Sequence, residues 1–356
     1  YDSQRDVYMA MIDDLDAAME TLYTFASAGD GILMRDFDIS SFKGDSRLWV
    51  SFANTLKLRM AIRMSGVEPE ARRIAEEAVR DMATYGLIDA NAENLSFSSD
   101  SRQNPFYTQA TSTSWQDLRS NASIVMYMNA YEDPRRASYF SKSGYDGIYV
   151  GVRAGIQNVT PTDYATYSYP LFAEKDPVPV MYASESWFLR AEGALLGWTM
   201  GDTAENLYNT GVKTSLELWG NGSSYETYIA SETAPALSYA DPRNKHNVSD
   251  FGTAVSVKWA DDGNELERII TQKWIANHMI GHEAWADVRR TGYPRLLQVV
   301  NNLSGGMWGN VDSSKGIRRL HYPQSEYDNN RENVLKGVEL LGGSDLHGTD
   351  VWWAKK

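Results

Sequence analysis

The chain reads as a mainly α fold of antiparallel helix pairs, interrupted once by a long loop-rich segment that carries at most short strands. Three observations lead there. Apolar residues recur at helical spacing in the first ninety residues and again between about 181 and 295. Turn signals punctuate those stretches at Gly29, Gly31, Gly86, Gly201, Gly292 and Pro294. Between Asn91 and Val180 the helical period fades into Ser, Asn, Thr, Gly and Pro, yet aromatics persist.

The first helix is expected from about Asp6 to Leu22, where Val7, Met11, Leu15, Ala18, Met19 and Leu22 share a face. A second, from Ser46 to Met64, aligns Trp49, Phe52, Ala53, Leu56 and Met60. A third starts with Pro69 in its first turn and runs to Tyr85, stopped by Gly86; its Ala71, Ala75 and Ala78 suit close helix approach. The middle segment shows one helical stretch, Ser120 to Tyr131, and a possible strand around Gly147 to Val152. Ser184 to Trp198 and Ala204 to Trp219 then form a helix-turn-helix unit of tetratricopeptide length, with Ala204 and Gly211 flanking Tyr208. A second pair spans Leu266 to His278 and Glu283 to Arg290, and the last sixty residues read as irregular. One domain over 1–356 follows, with hairpins over 1–90, an insertion over 91–180, hairpins over 181–295 and an irregular 296–356.

Composition removes several classes. A net charge of -13 with only scattered basic pairs gives no stripe to displace counterions, so no nucleic-acid partner is expected. The absence of cysteine excludes disulfides, thiolate metal sites and a cysteine nucleophile. No apolar run is long enough to span a bilayer. The chain starts at Tyr1 inside a helical pattern and is expected to be a mature or trimmed piece, with any targeting signal or lipid-bearing cysteine outside it.

Four stretches, in order, carry a resemblance. Trp49-Val50-Ser51-Phe52-Ala53-Asn54-Thr55-Leu56-Lys57-Leu58-Arg59 resembles the early W-x-x-F-A-N-x-L-x-L-R helix of the SusD/RagB family, in its SusD-like lipoprotein branch. Ser184-Glu185-Ser186-Trp187-Phe188-Leu189-Arg190-Ala191-Glu192 is similar to its E-x-x-F-L-x-A-E helix. Glu283-Ala284-Trp285-Ala286-Asp287-Val288-Arg289-Arg290-Thr291-Gly292-Tyr293-Pro294 and His321-Tyr322-Pro323-Gln324-Ser325-Glu326 resemble two later segments, and Asp133-Pro134-Arg135 also fits. The resemblance implies tetratricopeptide-like hairpins under a loop-built ligand face. It also implies a lipid-anchored protein on the outer face of the outer membrane of Bacteroidetes-type bacteria. There it would capture glycans, or peptides in some members, for a TonB-dependent, SusC-like transporter.

Aromatic rings suit sugar capture because a pyranose offers a patch of C–H groups; roughly 100 Å² of shared burial contributes about 2.5 kcal/mol. Nearby Asn, Gln, Arg or Asp side chains must then satisfy the hydroxyls. Phe106, Tyr107 and Trp115 are the first candidates, with Arg119 and Asn104 beside them; Tyr145 and Tyr149 come second. The competing reading is that these rings pin the loops to the scaffold. Trp187, Trp198, Trp219 and Trp274 lie on helical stripes and are expected in the core. His278 and His282 have helix-face spacing, but Met279 stands where a zinc protease needs its acid. A histidine pair at a helix end is expected, and no metal or cofactor. A helical glycoside hydrolase and a tetratricopeptide-type interaction scaffold remain as alternatives.

Overall fold

A computed structural model describes residues 1–99, 103–110 and 118–355. Helix α1 runs over Gln4–Ala28, longer at both ends than periodicity suggests. The Ser3 hydroxyl accepts from the Asp6 amide at 3.1 Å and starts it early. At the far end Tyr23 packs edge-on against Tyr85 at 5.5 Å, a tertiary contact that carries the helix past Leu22. Its buried Ile12, Met19 and Ala26, seven residues apart, face α2.

Helix α2, Ser46–Met64, begins where expected, capped by Asp45 accepting from the Arg47 amide at 2.9 Å. It is buried on several sides because α1, α3 and α8 all pack on it. The third helix is broken at Asp81 into α3, Ala71–Arg80, and α4, Met82–Tyr85. Gly86 ends it at φ +77, where a Cβ would stand 2.2 Å from the Ser51 hydroxyl oxygen. Asn54 explains its place in the W-x-x-F-A-N pattern: its Nδ2 donates to the Ala78 carbonyl at 2.9 Å and the Gly86 carbonyl at 2.8 Å, closing the turn.

Two short strands bound the middle segment. β1, Leu95–Phe97, pairs antiparallel with β2, Val178–Met181, placing Leu95 opposite Met181. The strand expected at Gly147 to Val152 is absent; Val152 makes only an isolated bridge to Asn121. Buried Leu95 and Met181 belong to a small core with Phe42, Ile88 and Ala183, so pairing happens at the neck of the insertion, where apolar surface can be covered. Between the strands lie α5, Pro105–Ala110; α6, Ala122–Ala130; and α7, Arg136–Tyr139. The insertion therefore holds more helix than the one stretch its pattern suggested.

α8, Ala183–Leu195, and α9, Ala204–Leu218, form the tightest hairpin. A Cβ on Gly211 would meet the Phe188 ring at 3.0 Å, so glycine permits that approach. Gly197 at φ +78 stops α8 before Trp198, which packs from the turn rather than from the helix. With Trp187, Trp219 and Trp274 it is half-buried against the main core. After α10, Tyr225–Ile229, a second pair follows: α11, Glu265–Ala276, and α12, Gly281–Thr291. The final segment, expected to be irregular, contains α13, Gln324–Asn329, and α14, Arg331–Leu341. α14 has a narrow buried face, Val334 and Gly337, which the flanking glycine pairs obscured. The chain end returns to α1, where the Trp352 amide donates to Gln4 at 2.8 Å.

One large hydrophobic cluster runs from Ile12 to Leu297 and unites the hairpins with α6 and α7. Among the described residues, no helix is long and apolar enough to cross a membrane.

Candidate ligand-binding face

Residues of the resembling motifs join the helices of the scaffold. Arg59 forks onto Glu185 through two contacts of 2.7 Å and stands 3.7 Å from Glu283, which also pairs with Arg63. Lys273 meets Asp287 at 2.9 Å, and Arg290 bridges Asp287 and Glu192. Four helices, α2, α8, α11 and α12, are thus joined by buried ion pairs. Burial alone would raise the Asp287 carboxyl, but Lys273 and Arg290 prevail and hold it at about 2. Glu283 is likewise held low: Arg59, Arg63 and Lys273 outweigh its burial. Carboxylates clamped in this way are poor proton donors near neutral pH.

Asp133 and Arg135 make a second buried lock at 2.6 Å. Arg135 also donates to Ser215 at 2.8 Å and to Gln272 at 3.0 Å, while Tyr228 donates to Asp133 at 2.7 Å. This joins the insertion to α9, α10 and α11. The two histidines sit apart in character. His278 lies past the end of α11, stacked on Tyr139 at 4.0 Å, and burial depresses it to about 3. His282 is exposed in the first turn of α12, on the other side of the Met279 turn at φ +73. Among the described residues, no group of three or more His, Asp or Glu gathers as metal ligands.

The candidate ligand residues fall into two groups. Asn104 is buried and caps α5: its Oδ1 accepts from Phe106 at 2.8 Å and Tyr107 at 3.2 Å, and its Nδ2 donates to the Asp176 carbonyl at 2.9 Å. Phe106 stacks on Phe172 at 5.4 Å, and Tyr107 is half-buried beside it on the helix. Trp115 lies outside the described residues. In the second group, Arg119 donates to the carbonyls of Tyr164 at 2.9 Å and Ala165 at 3.3 Å. Tyr145 meets Tyr167 edge-on at 5.5 Å, and Tyr167 lies 4.7 Å from Tyr164. Tyr149 stands apart from this cluster, half-buried under the Arg136 guanidinium at 5.7 Å.

The second group has members that the sequence did not single out. The Tyr167 hydroxyl donates to Asp241, which also accepts backbone amides from Arg243 at 3.1 Å and His246 at 3.1 Å. Burial raises Asp241, but the Tyr167 hydroxyl and these amides more than offset it, so its carboxyl is held low. Arg243 pairs with Asp163 and covers the Tyr164 ring at 5.2 Å. One signal was available: Asp241-Pro242-Arg243 repeats the Asp133-Pro134-Arg135 triplet, and in both the first carboxylate caps the arginine amide. The loops are accordingly held in place. Tyr239 donates to the Gly151 carbonyl at 2.8 Å, and Arg153 to the Gln298 carbonyl at 2.7 Å. Tyr107, Tyr145 and Tyr149 are each partly exposed on this braced backbone.

Fold and face together define a helical-hairpin scaffold that carries a loop-built surface. A family model described as SusD-like, SusD and RagB outer membrane lipoprotein, matches residues 1–354, and the chain belongs to that family. A chitin-binding SusD homologue from Flavobacterium johnsoniae is 40% identical with a TM-score of 0.92, over 100% of this chain and 73% of that one. SusD homologues from Bacteroides thetaiotaomicron and Bacteroides uniformis are 39% and 40% identical, each with a TM-score of 0.90, over 100% of this chain and 75% and 74% of theirs. Comparison with curated proteins gave no match.

Proposed function

We propose that this protein captures oligosaccharides on the face of the 91–180 insertion and delivers them, chemically intact, to a TonB-dependent SusC-like transporter. It would do so on the outer face of the outer membrane, held there by a lipid anchor. The observation that carries the reading is three partly exposed tyrosines of the insertion, Tyr107 on α5 capped by Asn104, and Tyr145 and Tyr149 on loops braced by side-chain hydrogen bonds. Rigid rings bind a sugar face at low entropic cost, since little side-chain freedom remains to be lost. Asn104 and Arg119 support that surface from below, and Trp115 is proposed as a further stacking ring.

Family membership supports a nutrient-binding role, and the chitin-binding relative makes N-acetylglucosamine oligomers the first ligands to try. Calorimetric titration with N-acetylchitopentaose is expected to show saturable binding, and chromatography of the mixture to return the pentamer unchanged. Trp115→Ala should weaken that binding while leaving the melting temperature close to wild type. Release of shorter oligomers would point instead to a hydrolase and end the proposal.

A further inference from the structure

A cleft of about 780 Å³ opens between the 232–264 loop, the first turn of α11 and Arg295, and none of its lining residues belongs to the 91–180 insertion. Most charges around it are already matched. Lys258 pairs with Glu232, and Asp262 pairs with Arg268 at 3.0 Å. Glu267 differs. It is 92% buried (8% relative exposure), lines the cleft, and its Oε1 receives no hydrogen bond among the described residues; the nearest cation, the Arg295 Nε, stands 3.6 Å away. Glu267 is therefore ion-paired with Arg295 in the wall of the cleft without a close hydrogen bond from it. Burial raises the Glu267 carboxyl, with Arg295 offsetting it only in part.

Arg295 is itself positioned, one Nη donating to the Thr253 carbonyl at 2.6 Å. Across the cleft Trp259 is half-exposed; its indole N–H donates to Asp261 at 3.0 Å, and it leans on Tyr208 at 5.5 Å, which fixes the ring plane. The cleft therefore offers an acceptor, an adjacent donor and an aromatic platform. Adjacent hydroxyls on a pyranose ring match the first two: one donates to the carboxylate while its neighbour accepts from the guanidinium. The C–H face of the same ring suits the indole. Along a 1,4-linked chain, an internal residue with an acetamido group at C2 lacks the pair, because its O4 is in linkage; internal glucose, xylose and mannose residues keep O2 and O3 free.

We propose that this cleft is a second sugar-binding subsite, selecting internal chain residues with free adjacent hydroxyls through Glu267 and Arg295 and stacking them on Trp259. The proposal shares its ligand class with the functional reading above, and it concerns other residues than the candidate rings.

The test is calorimetric titration with cellopentaose, xylopentaose and mannopentaose beside N-acetylchitopentaose. At least one of the first three should bind, and Trp259→Ala and Glu267→Leu should each weaken that binding by roughly tenfold or more. N-acetylchitopentaose binding should be unaffected in both variants. Glu267→Leu should leave the melting temperature close to wild type, since the Arg295 guanidinium that it frees is exposed and keeps its bond to the Thr253 carbonyl. Binding of the three diol-bearing pentamers that both variants leave intact would overturn the subsite while leaving the insertion face standing. So would no binding of those three, or a lowered melting temperature with affinity unchanged. Loss of N-acetylchitopentaose binding in the wild type would count against the insertion face alone.

Discussion

The helical hairpins and the 91–180 insertion use polar side chains in opposite ways. In the hairpins, charges are buried against one another, as in the Arg59–Glu185 fork and the Lys273–Asp287–Arg290–Glu192 chain. In the insertion, side chains mostly bind backbone: Asn104 takes two amides and a carbonyl, and Arg119 takes two neighbouring carbonyls. The first arrangement fixes helices relative to one another. The second fixes the shape of irregular chain, which has no ladder of its own hydrogen bonds to do so. A surface that must hold rings at set positions needs the second kind of support.

The largest expected effect sits in the hairpins. Arg59→Ala leaves Glu185 buried with no countercharge and should cost about 3–5 kcal/mol in denaturant unfolding. A loss under 1 kcal/mol would mean that the ion pair is hydrated and the contrast with the insertion is false. Next comes acid. Asp287 titrates from an ordinary 3.8 when unfolded to about 2 when folded. Its contribution is complete above the unfolded value and is lost as pH falls from about 4 toward 2. That difference is worth roughly 2 kcal/mol, and stability measured across this interval should flatten in Asp287→Asn.

The insertion sharpens the comparison with smaller numbers. Tyr145→Ala should weaken N-acetylchitopentaose binding about tenfold, close to 1.4 kcal/mol, with little change in melting temperature. Asn104→Ala should do the reverse first, costing about 1 kcal/mol of stability through loss of the α5 cap. If Tyr145→Ala instead unfolds the protein with affinity unaltered, Tyr145 is a packing residue held by Tyr167.

Much of the scaffold was legible from residues alone. α2 begins and ends where its pattern does, and the α8–α9 and α11–α12 pairs fall within a few residues of their periodicity. The break at Asp81 was not legible, because residues on both sides of it continue the same spacing. The strands were misplaced for a similar reason. Gly147 to Val152 has strand-forming residues, but the pairing partners are Leu95–Phe97 and Val178–Met181, which are far apart in sequence. The candidate rings at Tyr145 and Tyr149 could be nominated from composition. The triplet holding Asp241 and Arg243 was visible, but its arrival beside Tyr167 and Tyr164 was not, since it comes from a loop some seventy residues beyond Tyr167.

What the sequence determined by itself is the hairpin scaffold, because helical periodicity and end signals act over a few residues. It also carried the family, through residues such as Asn54, Arg59, Glu283 and Asp287 whose type is dictated by burial and pairing. Tertiary structure alone decided which rings stay half in water and which buried carboxylate is left without a donor. Those outcomes depend on what packs from a distance, and local chemistry places no limit on it.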